Sequence, residues 1–101
     1  MNSYSYRVTV EPLTGSKGEP VEATALSFVI KNHDDILAIA ERAKGRAGLD
    51  EETSTALAIS LKMFSEVMLL NRKNPLFENI QGPFRDFIQA FKAAGKTDRA
   101  E

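Results

Sequence analysis

The chain has 101 residues, 43% of them hydrophobic, and 13 Lys and Arg against 14 Asp and Glu give a formal charge of −1. That length fits one domain with a real apolar core, and the balanced charge lacks the excess of cations a nucleic-acid or membrane-surface binder needs. There is no cysteine, which excludes disulfides, zinc-thiolate sites, iron–sulfur clusters and thiol nucleophiles and fits a cytoplasmic location.

The opening MNSYSYRVTV has no basic stretch followed by an apolar run, so no signal peptide is expected. Residues 4–11 alternate, with Tyr4, Tyr6, Val8 and Val10 on one side. Period two with aromatic and β-branched residues predicts a half-buried strand. Pro12 ends it, and LTGSKGEP over Leu13–Pro20 is a loop dense in turn formers. Its Gly15 and Gly18 do not match a phosphate-binding loop, because Lys17 is not followed by Ser or Thr at the head of a helix. Residues 22–31 alternate again, with Leu26, Phe28 and Ile30 on one face and Ser27, Val29 and Lys31 on the other. The two strands predict an antiparallel hairpin, which is marginal in water unless its apolar face is covered.

Asn32 is the predicted cap of a first helix carrying Ile36, Ile39, Ala40 and Ala43, with Gly45 or Gly48 as its stop. Asp50, with Glu51 and Glu52 in the first turn, starts a second helix that runs to about Asn71. Pro75 interrupts the chain, and Leu76 to Ile80 forms a short apolar turn. Gly82-Pro83 opens a last helix, whose Phe84, Phe87, Ile88 and Phe91 make an amphipathic stripe ending at Gly95. The remaining residues 96–101, KTDRAE, are expected to be disordered.

The second helix is the most apolar segment, ALAISLKMFSEVMLL over Ala56–Leu70. At roughly 100° per residue, Leu57, Leu61, Phe64 and Met68 form one stripe and Ile59, Met63, Val67 and Leu70 another, an arc of roughly 200°. Lys62, Ser65 and Glu66 mark the expected solvent strip, and Leu69 violates it. The arc predicts a helix at the centre of the fold, one stripe covered by the hairpin and the other by the first and last helices. Its apolar runs, ALAI and VMLL, are short for a membrane span.

Candidate chemistry is sparse. His33 is the single histidine, and its neighbours Asp34 and Asp35 do not converge on it from a helix. An exposed helix cap is the simpler account, and no second His or Cys is present to complete a metal site. Glu66 is the best lone carboxylate, with Lys62 as an i, i+4 partner on the polar strip. Arg72 and Lys73, in NRKNP, suit the negative end of the helix and are the candidate contacts for a small anion or carboxylate. No catalytic, cofactor-binding or metal residue is assigned.

The ordered set RVTVEPLT, GEPVEA, KNHDDI and LKMFSEVMLLNRKNPLF resembles the bacterial domain-of-unknown-function family DUF3861, over about Tyr6 to Lys92. The resemblance implies a small cytosolic bacterial protein with a compact α+β fold. It implies no activity, cofactor or site residue.

The reading is therefore a single α+β domain over 1–95: an N-terminal antiparallel β-hairpin followed by three main helices packed around a central apolar helix. The function expected is a non-enzymatic protein-interaction or regulatory module, with a homodimer or another protein as partner and neither nucleic acid nor membrane. Val29 and Leu69 are its candidate contacts. The alternative is a small-anion or carboxylate binder, with weak or no catalysis, using Arg72 and Lys73.

Overall fold

The computed structural model describes residues 3–95. Chain contacts gather into two compact units, Met1–Asp34 and Asp35–Glu101. The tail expected over 96–101 lies outside the described residues. The architecture is α+β: an antiparallel hairpin and then three α-helices.

In the first unit, β1 (Tyr4–Val10) and β2 (Leu26–Asn32) form a two-stranded antiparallel sheet. Tyr4 pairs with Asn32, Tyr6 with Ile30, Val8 with Phe28 and Val10 with Leu26. Directly paired residues share a face, so the two apolar sets lie on the same side. The Tyr4 and Tyr6 rings stack there, 6.3 Å apart. On the other face the Thr9 and Ser27 hydroxyls meet at 2.9 Å. The second strand begins at Leu26 and not at residue 22. Alternation alone cannot start a strand. The register ends at Val10–Leu26, so residues 22–25 have no partner strand to bond.

In the second unit, α1 (Ile36–Ala43) is capped by Asp35, whose Oδ1 accepts from the Ala38 N–H at 3.2 Å. Asn32, the cap expected from sequence, instead ends β2. It is buried, and its Oδ1 accepts from the Asp34 N–H at 2.9 Å. Asn and Asp offer the backbone the same acceptor, and the strand takes Asn32 first. After α1 the chain turns through Gly45 in the left-handed region (φ +78°). The Arg46 guanidinium donates to the carbonyls of Lys92 and Ala94 at 3.0 and 3.1 Å. The Ala47 N–H bonds the Gly95 carbonyl at 2.8 Å. These bonds tie the loop after α1 to the end of the last helix and satisfy carbonyls that a helix terminus leaves open.

α2 (Glu51–Leu70) is capped by Asp50, which accepts from the Thr53 N–H at 2.7 Å. Asn71 ends it, and a 3-10 turn, Pro75–Phe77, follows. α3 (Gln81–Ala93) carries Pro83 in its first turn. α1 and α2 meet through small residues: Ala40, Ala43 and Ala58 are buried together, with Ile59 and Phe91 packed against them. Ser54 is wholly buried beside them. Its hydroxyl donates to the Asp50 carbonyl at 2.8 Å and accepts from the Gly45 N–H at 3.1 Å. Lys44 bridges the two helices, with its Nζ 3.1 Å from Glu41 and 2.9 Å from Glu51.

The cap makes acid stability testable. Hydrogen bonds from the Thr53 backbone and side chain hold the Asp50 carboxyl below its ordinary value. A carboxyl depressed on folding contributes stability that is present above its unfolded pKa and lost as pH falls through the folded one. Asp50→Ala is therefore expected to melt below the wild type at pH 7. The gap should close as pH drops below about 4, the ordinary Asp range. Thermal melts across pH 2–7, on the order of the carboxyl range, check this; a gap that does not change with pH would refute it.

Candidate functional site: a groove between α2 and α3

The packing of α2 departs from the expected one. Glu66 is buried, and Lys62 and Ser65 are half-buried, whereas Val67 and Leu70 are 48% and 65% exposed. The predicted solvent strip is thus turned inward and part of the predicted core stripe outward. An apolar arc of roughly 200° does not say which of its edges is used. Small residues, Ser54 and Ala58, mark the side on which α1 meets the N-terminal half of α2.

Leu69, the predicted violation, is 47% exposed. It lines a groove of about 330 Å³ between α2 and α3, together with Ser65, Met68, Arg72, Phe84, Arg85 and Ile88. The groove exists because aromatic contacts hold α3 against α2. Phe64 meets Phe84 edge-on at 5.0 Å and Phe77 at 6.2 Å. The floor is apolar, two guanidinium side chains belong to the lining, and no carboxylate does. Leu69 and Arg72, singled out separately from sequence, are brought into one concave site.

Lys73 does not line that groove but shares a neighbouring depression with Arg72 and Leu69. That depression, of about 490 Å³, lies at the C-terminal end of α2 and is completed by Leu70, Asn71 and Asn74. Val29 is 59% exposed, on the Thr9 and Ser27 face of the hairpin. His33 follows Asn32 on the exposed chain between β2 and α1. Arg85 was not foreseen. On its own helix it is one polar neighbour of Phe84 among several, and only packing of α3 on α2 turns it toward Arg72's groove. Among the described residues no group of His, Asp and Glu gathers in a metal-binding arrangement.

A crystal structure of a protein of unknown function from Pectobacterium atrosepticum is similar, with a TM-score of 0.75 and 33% identity. The match covers 90% of this chain and 98% of that one. No curated protein matches. The family model described as a domain of unknown function with a solved structure, DUF3861, matches residues 4–93. The chain belongs to the DUF3861 family.

Proposed function

We propose that the protein is a non-enzymatic protein-interaction module whose recognition surface is the α2–α3 groove. The observation that supports this is the groove's lining: Leu69, Met68, Phe84 and Ile88 with Arg72 and Arg85 at one apolar cleft. Such a site suits a partner segment that offers an apolar side chain beside a carboxylate. The apolar part would fill the floor, and a guanidinium fork would take the carboxylate. A second reading uses the same chemistry on a small scale, a free apolar carboxylate in place of a protein segment.

Immobilised wild-type chain, Leu69→Glu and Arg85→Glu are compared for proteins captured from a bacterial lysate. The expected result is a protein held by the wild type and bound roughly tenfold or more weakly by both variants, from loss of a charge-assisted contact or of the apolar floor. Equal capture by all three, with unchanged melting temperatures, would remove the groove as the recognition surface. Octanoate decides the second reading. Amide shifts confined to Leu69, Arg72 and Phe84 on titration favour a small carboxylate, and none at millimolar concentration exclude it.

A further inference from the structure

α2 carries a second apolar feature on another side. Ala56, Ser60, Met63, Val67 and Leu70 recur at the four-three spacing of a helix-pairing seam. Met63 is half-buried and the other four are exposed, Leu70 at 65%. The seam is centred roughly 140° around the helix from Leu69, so it is distinct from the groove. α2 is also long and apolar enough, by length and composition, to cross a membrane. Lys62 and Glu66 near its middle oppose that, because a charge at the bilayer centre costs about 2.5–3.5 kcal/mol.

We propose that this seam pairs with the same seam of a second copy, antiparallel, about a two-fold axis at Met63. Two features of the chain select that occupant and that direction. The first is size. The small residues Ala56 and Ser60 lie in the N-terminal half of the seam, and the large Val67 and Leu70 in the C-terminal half. Antiparallel pairing about Met63 sets Ala56 level with the partner's Leu70, and Ser60 level with the partner's Val67 to within about one residue rise. Each small residue then receives a large one, as interdigitated packing requires. Parallel pairing would set small against small and large against large.

The second feature is charge. Glu51 and Glu52 lie in the first turn of α2, and Arg72 and Lys73 follow its last turn. Antiparallel pairing brings Glu52 to the partner's Lys73, and both are exposed. The two helix dipoles also oppose each other favourably in this direction. A two-fold contact is self-complementary by construction, and this surface is complementary to itself only head to tail. A single 20-residue helix gives a seam of about 30 Å, at the small end of specific interfaces, so dissociation in the micromolar range is expected. The proposal goes beyond the groove reading and does not depend on it.

The chain has no cysteine, so single introduced thiols report geometry directly. Met63→Cys is expected to form a disulfide dimer rapidly under mild oxidation. Leu70→Cys alone should form one slowly, because its copy lies about 20 Å along the pair. Mixed Ala56→Cys and Leu70→Cys chains should cross-link with each other. In sedimentation experiments the wild type and Leu69→Glu should dimerise alike. Val67→Glu and Ser60→Glu should weaken association about 100-fold or more by burying an unpaired charge. Lys73→Glu should weaken it, and combining it with Glu52→Lys should restore it. A wild type that is strictly monomeric at millimolar concentration would overturn the proposal. So would Leu70→Cys cross-linking to itself as fast as Met63→Cys, or a monomer that instead floats with phosphatidylglycerol vesicles, since the seam would then meet lipid.

Discussion

Phe77→Ala is expected to destabilise the protein by about 3–5 kcal/mol, the range for truncating a buried phenylalanine. That is a large part of the roughly 5–15 kcal/mol that holds a domain together. Phe77 is 8% exposed although it sits on a three-residue 3-10 turn. Its ring meets Phe64 of α2 edge-on, and Phe64 in turn meets Phe84 of α3. Edge-to-face pairs add roughly 0.5–1.5 kcal/mol beyond the area they bury. Removing the first ring of this row leaves a cavity under the turn and loosens the next contact. The loss should therefore be uneven. Hydrogen exchange should speed up most in α3, which is otherwise anchored by the Phe91 contact and by the Arg46 and Ala47 bonds at its far end. Urea unfolding followed by circular dichroism measures the total. A loss below about 1 kcal/mol, in the range of an ordinary surface change, would show that the aromatic row does not hold α3.

The elements that local physics controls were legible in the sequence. Asp50 with Glu51 and Glu52 starts α2 where the cap chemistry says, and Pro83 sits in the first turn of α3. Phe84, Ile88 and Phe91 are the inward positions of α3, although Phe87 of the same stripe is 48% exposed. The misreadings occur where the outcome depends on a partner. Residues 22–25 have the alternation of a strand but no opposite strand. Asn32 and Asp35 carry the same capping chemistry, and the end of the β1–β2 ladder decides between them. A count of apolar positions shows neither the inward turn of Glu66 nor the buried small residues, Ser54 and Ala58, at the contact with α1. The groove was half legible for the same reason. Leu69 and Arg72 stand out on one helix, while Arg85 joins them only through tertiary packing.

The small residues between α1 and α2 give the other large expected effect. Ala58→Leu should destabilise by about 1–3 kcal/mol or somewhat more, the cost of overpacking. Ala58 is 2% exposed and faces Ala40 and Ala43 of α1 at 6% and 4%. Three alanines in contact bury little area each, so they contribute by letting two backbones approach and not by transfer energy. An isobutyl group in place of the methyl has no room unless α1 moves away. Such a movement would disturb the Ser54 bond to the Gly45 N–H and the Lys44 bridge to Glu51, both of which span α1 and α2 or their loop. Ala58→Gly separates the two contributions. It keeps the space and lowers helix propensity by about 1 kcal/mol, so it should leave α1 in place. The expected order in thermal melts is wild type, then Ala58→Gly, then Ala58→Leu, with accelerated hydrogen exchange of α1 in the leucine variant alone. If leucine is accommodated at no cost, the helices are not in tight contact at Ala58.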